Sequence, residues 1–264
     1  MNVQVLVATM NQKDFNLIDK MNIQSDAIIA NQCDRNEIKE LNHKGNKIKY
    51  LSFSEKGVGL NRNNALMRAE ADICILADDD IVFIDGYADK VCKYFEDNPK
   101  VDVIIFNLIE KPRKRYVIRE KFKVKFHNYM RFGATRIAFR RKSVTTQGIT
   151  FNLRFGGGAD FSAGEDTLFL NDCLKNKLNI LAVPEFIANL TEDRDSSWFT
   201  GYNEKYFKDR GALYSCVNKR WAWILCLQFS IRHKKMFNKE KKWHEAFLLM
   251  LKGIKEIKSE RYQL

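Results

Sequence analysis

The stretch Ile73-Cys74-Ile75-Leu76-Ala77-Asp78-Asp79-Asp80-Ile81 sets an apolar run directly against three carboxylates. An uninterrupted apolar run of this length suits a strand buried on both faces, as in the interior of a parallel sheet. Adjacent like charges repel, and away from open solvent they stay ionised at little cost only where a cation or several donors sit among them. Mg²⁺ takes hard oxygen ligands, commonly one or two protein carboxylates together with substrate phosphates. Such a strand end therefore suits a metal–diphosphate complex, the alternative being a solvated acidic turn.

Outward from this strand, Val3 to Ala8, Ala27 to Ala30, Ile48 to Phe53 and Val101 to Asn107 read as further strands. Asp34 to Asn42, Val58 to Ala71 and Gly86 to Asn98 read as helices between them. The alternation predicts an α/β fold, a mostly parallel sheet flanked by helices. Ligands of such sheets bind at the carboxyl ends of the strands, which directs attention to Thr9 and Asn11, Asn31 to Asp34, Ser54 to Gly59, and Asp78 to Asp80. Farther along, Thr167 to Leu178 predicts a helix, Ile180 to Val183 a strand ending at Pro184, and Asn218 to Arg232 and Lys239 to Lys258 two helices of a C-terminal tail.

With 45% hydrophobic residues but only 3 prolines and 13 glycines in 264 residues, the chain falls outside the disordered and low-complexity classes. The net charge of +12 is concentrated, since thirteen basic residues against one acid, Glu120, lie between Lys111 and Lys142. Aromatic residues interleave with them, which makes nucleic-acid binding the principal competing function. Against it stand the absence of a recognisable nucleic-acid motif and an acidic triplet that would repel phosphate without a metal. The six cysteines form no CxxC pair and no disulfide framework, which points to a reducing compartment. The first residues read as a strand and not as a leader peptide.

Two glycine-containing stretches complete the set. Gly57-Val58-Gly59-Leu60-Asn61-Arg62 leads into the helix before the acidic strand, where glycine amides can approach a phosphate and Arg62 can pair with a phosphate or brace the strand end. Gly156-Gly157-Gly158 precedes Gly164-Glu165-Asp166 at a predicted helix start. There a loop can fold over a substrate while one carboxylate acts as general base, or the acids can simply stabilise the first turn. None of the four histidines stands in a ligand pair. Trp198, Tyr202, Tyr206 and Phe207 are candidates for lining an acceptor pocket, with core packing as the alternative.

In order and separation these motifs resemble inverting glycosyltransferases of family two, which have the nucleotide-binding fold called GT-A. The likeness covers roughly residues 1 to 190. The first strand with Thr9 and Asn11 resembles the family's opening strand, Gly59 to Ala65 its Ala-Arg-Asn helix, Asp78-Asp79-Asp80 its DXD metal motif and Glu165-Asp166 its late Glu-Asp motif.

The resemblance implies a GT-A domain over residues 1–215, with a nucleotide-binding half (1–110) and an acceptor half (111–215), followed by an amphipathic helical tail (216–264). It implies a divalent cation, Mn²⁺ or Mg²⁺, held by Asp80 with Asp78, and Asp166 beside Glu165 as the base that takes the acceptor hydroxyl's proton. Thr9, Asn11, Asn31, Gln32, Gly59, Arg62, Asp78 and Asp79 would contact a nucleotide-sugar donor, with UDP-sugars favoured. Asn31-Gln32 stands where the family commonly has an Asp that reads the base, and Pro184 to Asp193 lacks the His that serves some members as a metal ligand. The expected acceptor is a saccharide or lipid-linked hydroxyl in bacterial surface-polysaccharide synthesis, and no nucleic acid is expected. The expected location is cytoplasmic, peripheral on the inner face of the cell membrane. There the basic and aromatic tail around Trp221 and Trp223 would meet an anionic membrane surface, the alternative being that its helices simply cover the sheet. A sugar nucleotidyltransferase shares the carboxylate–metal logic but should carry a glycine-rich basic loop where this chain has Thr9-Met10-Asn11-Gln12.

Overall fold

The computed structural model describes residues 1–110, 115–191 and 201–260, with side chains as far as 257. Its N-terminal part runs β1 (Val3–Met10), α1 (Leu17–Lys20), β2 (Asp26–Gln32), β3 (Glu37–His43), β4 (Asn46–Phe53), α2 (Val58–Met67), β5 (Ile73–Asp78), β6 (Ile81–Phe83), α3 (Tyr87–Glu96) and β7 (Val103–Ile109). There follow β8 (Phe122–Lys123), β9 (Ile137–Arg140), α4 (Arg141–Thr146), α5 (Glu165–Lys175) and β10 (Ile180–Leu190). The C-terminal helices are α6 (Glu204–Val217), α7 (Ala222–Arg232), α8 (Lys234–Phe237) and α9 (Trp243–Glu260).

One mixed sheet organises the described residues, in the order β3-β4-β2-β1-β5-β9-β7-β10-β6, with β8 paired to β10. β4, β2, β1 and β5 are parallel neighbours, so their carboxyl ends share one edge. Alternate residues feed opposite layers: Val5, Val7, Ile73 and Ile75 enter one apolar cluster, and Leu6, Cys74 and Leu76 the other. Burial on both faces is why these strands read as continuous apolar runs. All six cysteines are free thiols.

Two sequence expectations need correction, and the basic segment, left without an assigned element, takes a definite form. Asp34 to Asn42 is not a helix: Glu37–His43 is an edge strand, antiparallel to β4. Lys44 and Gly45 turn the chain with φ of 52° and 88°, the pair of left-handed residues that a tight hairpin needs. Ile38 and Leu41, three residues apart, imitated a helical face. The strand after α5 does not end at Pro184 but continues to Leu190, with its register against β7 shifting between Ala182 and Ala188. Pro184 lies within this irregular stretch, where a missing N–H is tolerated. The basic segment, finally, contains the buried strand β9 between β5 and β7. Three of its arginines turn inward: Arg136 donates to the Phe106 and Tyr116 carbonyls, Arg140 to those of Val101 and Phe95, and Arg141 to that of Ala71, whereas Arg115, Arg119, Lys121, Lys123, Lys125, Arg131 and Lys142 are exposed. Lys111, Arg113 and Lys114 lie outside the described residues.

The C-terminal helices form their own layer on α6, with Phe207, Phe229, Phe237 and Met250 at its centre. A smaller cluster of Phe155, Phe161, Leu168, Leu213 and Ile257 joins this layer to the loop before α5. Among the described residues no helix is long and apolar enough to cross a membrane.

Candidate active site

The ends of β1 and β2 gather the expected nucleoside residues, and much of their hydrogen bonding is internal. Asn31 is buried; its Oδ1 accepts from the Gln12 N–H at 2.9 Å, and its Nδ2 donates to the Gln12 carbonyl and Ser52 Oγ. It therefore braces the loop after β1. Asn11 takes a left-handed conformation (φ 57°) and donates its N–H to the Gln32 carbonyl at 2.8 Å. Gln32 Oε1 accepts from the Gly57 N–H. Thr9 Oγ1 donates to Asp79 Oδ2 at 2.5 Å and accepts from Gln12 Nε2, which ties the first strand to the acidic turn.

At Gly59 a Cβ would run into the Asn152 carbonyl, so the close approach this glycine permits is made within the chain. The glycine run before α5 is likewise pinned. The Val58 N–H donates to the Gly157 carbonyl, and Gly156, at φ 106°, leaves room for Val58 and Glu165 that a side chain would take.

Arg62 is the centre of the arrangement. It is 4% exposed and donates from Nη2 to Asp78 Oδ1 at 2.6 Å and from Nη1 to Glu165 Oε1 at 2.7 Å. Burial alone would lower the guanidinium's pKa, but the Asp78 and Glu165 carboxylates more than offset that and raise it. One side chain thus joins the end of β5 to the start of α5.

The two late carboxylates differ. Glu165 is committed to Arg62. Asp166, in the same first turn, accepts from the Thr167 N–H at 2.6 Å and has the backbone of Gly133 beside it. Burial, reinforced by the Glu165 charge, pushes the Asp166 carboxyl up to about 7, against the pull of Arg62. A carboxyl poised there can accept a proton near neutral pH. It lines a cavity of about 330 Å³ together with Arg62, Asp78, Arg136, Tyr206 and Arg210.

Of the acidic triplet, Asp78 faces this cavity, Asp79 holds Thr9, and Asp80 lies deeper. Asp80 Oδ1 is buried and has no hydrogen-bond partner among the described residues. Burial, then the charges of Asp78 and Asp79, push this carboxyl up to about 6. An orphaned carboxylate oxygen beside two like charges fits a divalent cation. Among the described residues no three His, Cys, Asp or Glu side chains converge as ligands, so water and substrate phosphate would complete the shell. Thr191, at the end of β10, donates its N–H and its hydroxyl to the Asp80 carbonyl at 2.8 and 2.7 Å, a brace with no signature in the sequence.

Sequence reasoning also missed α6. Its Asp209 accepts from the N–H and the hydroxyl of Ser162 and from Lys205, which fastens α6 to the loop before α5. The Lys205–Asp209 pair at i,i+4 was the available signal. Tyr206 lines the cavity and Phe207 is core, while Tyr202 packs on Tyr206 and Phe237. Trp198, Glu192 and Asp193 lie outside the described residues.

The profile of the family described as Glycosyl transferase family 2 matches residues 26–157. No curated protein matches the chain. Among solved structures, residues 1–349 of S. aureus TarS in complex with UDP-GlcNAc superpose with a TM-score of 0.66 at 16% identity, covering 91% of this chain and 74% of that one. The same fragment in complex with UDP gives 0.63 at 13% identity, over 100% of this chain and 92% of that one. A longer TarS chain gives 0.62 at 15% identity, with 90% and 44% covered. The fold is therefore that of the GT-A transferases.

Proposed function

The chain belongs to glycosyl transferase family 2 and is a glycosyltransferase, and from that premise we propose that it transfers a sugar, with inversion, from a UDP-sugar to a hydroxyl acceptor, using Asp166 as general base. The observation that carries this reading is the Arg62 bridge between Asp78 and Glu165. It sets the acidic strand end and the raised carboxyl of Asp166 on one cavity, where donor and acceptor chemistry would meet. The binding of UDP-GlcNAc by TarS, a protein of the same fold, supports a nucleotide-sugar donor.

The residues divide the work. Asp166 takes the proton of the acceptor hydroxyl, a contribution of about 10²–10⁴ in rate. A single displacement with one base inverts the anomeric carbon. Arg62 holds Asp78 and Glu165 in fixed positions, and Glu165 in turn orients the first turn of α5 that carries Asp166. Asp80 and Asp78 would hold Mn²⁺ or Mg²⁺, which when bound offsets the charge developing on the departing diphosphate. Thr9, Asn11, Gln32 and the loop braced by Asn31 form the nucleoside end. The acceptor in this reading is a saccharide or lipid-linked glycan of a cell-surface polysaccharide, and the exposed Trp221, Trp223 and Trp243 among lysines and arginines hold the enzyme to an anionic membrane surface.

Thermal denaturation with UDP, GDP, CDP and dTDP, each with and without Mn²⁺, tests the donor half of the proposal. A ligand that binds only the native state raises its stability by mass action. UDP with Mn²⁺ should give the largest shift. An unchanged midpoint with all four nucleotides would refute a nucleotide-sugar donor.

A further inference from the structure

The cavity that holds Asp166 is lined by basic side chains of three kinds. Arg62, Arg115 and Lys205 each have a carboxylate partner, at 2.6–2.7, 2.8 and 2.9 Å respectively. Arg136 has none among the described residues, but all three of its guanidinium nitrogens donate to neutral oxygens of Phe106, Tyr116 and Asn107. Arg210 differs from both. It has no carboxylate within ion-pair distance among the described residues, and its Nη2 donates to the Tyr206 hydroxyl at 2.9 Å.

The rings of Tyr206 and Phe229 lie beside this guanidinium, with their centroids 5.3 and 5.0 Å from its central carbon. These neighbours hold the planar group in place, and the Tyr206 and Tyr214 hydroxyls, which favour its charged form, carry no formal counter-charge. Arg210 is half-buried, and a cation partly withdrawn from water gains from a counter-charge. A fixed guanidinium edge matches the two oxygens of a carboxylate or phosphate. None of the nucleoside-end residues Thr9, Asn11, Asn31 and Gln32 lines this cavity, so an anion here sits on the sugar side of the site.

We propose that Arg210 pairs with an anionic substituent, a carboxylate or a phosphate, on a sugar bound beside Asp166, so that the enzyme handles an acidic sugar as donor or acceptor. This rests on the reading of the cavity as the transfer site. The charge can come from the transferred sugar or from the acceptor, and the two sources are separable.

Calorimetric titration of the full chain with Mn²⁺ tests it in two arms. In the first, UDP-glucuronic acid is compared with UDP-glucose. In the second, protein saturated with UDP is titrated with glucuronic acid, glucose 6-phosphate and glucose. The expected result is a preference of at least about tenfold for the charged ligand in one arm, as a charge-assisted bond confers. Arg210→Met should remove the preference and leave UDP affinity unchanged, while Arg210→Lys, which keeps the charge and guards against a folding defect, should retain part of it. Equal affinity for charged and neutral ligands in both arms overturns the proposal. So does a preference that survives Arg210→Met, and so does a loss of UDP affinity in that variant, which would assign Arg210 to the diphosphate. Absence of UDP binding by the unmodified chain would instead defeat the transferase reading on which the proposal stands.

Discussion

Gly211 of α6 and Gly253 of α9 lie where the two helices approach so closely that neither position has room for a Cβ. One on Gly211 would overlap the Met250 carbonyl, and one on Gly253 the Lys208 carbonyl. The C-terminal helix is thereby seated on the helix that carries Asp209 and Arg210. An alanine at an exposed helical glycine normally stabilises by up to about 1 kcal/mol. At Gly253 the overlap should reverse the sign and cost about 1–3 kcal/mol. Thermal denaturation of Gly253→Ala should show a lowered midpoint, and a raised one would mean that the helices can separate freely.

Arg62→Met should be more damaging, because it strands two carboxylates. Removing one partner of a buried ion pair costs about 3–5 kcal/mol, and the lower end applies here because Asp78 is partly open to water. Arg62→Lys keeps the charge but lacks the fork that reaches both acids, so it should regain stability more than transfer. Urea unfolding beside a transfer assay separates the two, and equal recovery of both would deny Arg62 a positioning role.

For Asp166 the pH dependence has a definite sign. Below about 7 the carboxyl is protonated in the folded protein, so the transfer rate should rise about tenfold per pH unit and level off above that value. Asp166→Asn should flatten the profile and lower the rate at least ~10²-fold at unchanged UDP affinity. Because the folded-state pKa is raised from 3.8, the stability conferred by the bound proton is fully present below the unfolded value and is lost as pH rises through about 7. The Asn variant should therefore melt above the unmodified protein at pH 8. A lower midpoint there would show that this carboxylate, once ionised, supports the loop.

Asp80→Ala should abolish the Mn²⁺-dependent part of UDP affinity without lowering the melting midpoint. The side chain has a buried oxygen with no partner among the described residues, whereas the bonds from Thr191 go to the backbone carbonyl, which the substitution keeps. Retained Mn²⁺ dependence would place the cation elsewhere.

Flotation with vesicles tests the membrane surface. Phosphatidylglycerol vesicles should carry the protein upward at low salt, phosphatidylcholine vesicles should not, and Trp221→Ser with Trp223→Ser should weaken the effect. Protein that stays at the bottom with both lipids would exclude attachment through this helix.

The sequence by itself determined the strand from Ile73, its acidic end, the helix after Gly57 and the acidic helix start at Glu165, because two-faced burial and helix-terminal charge leave local marks. The edge strand Glu37–His43 left a misleading mark, since none of its residues is fully buried and no buried face imposes an alternation. The basic segment showed its charge but not its direction: whether an arginine meets solvent or a carbonyl depends on which backbone lies opposite, as Arg136 and Arg140 demonstrate. Only the tertiary structure decided that Arg62 joins Asp78 to Glu165, which lies 103 residues beyond Arg62, that Asn31 braces a loop, and that Arg210 meets the cavity without a carboxylate partner among the described residues. Those pairings follow from strand order and from the docking of α6, which depend on contacts between segments distant in the chain and therefore have no local periodicity to reveal them.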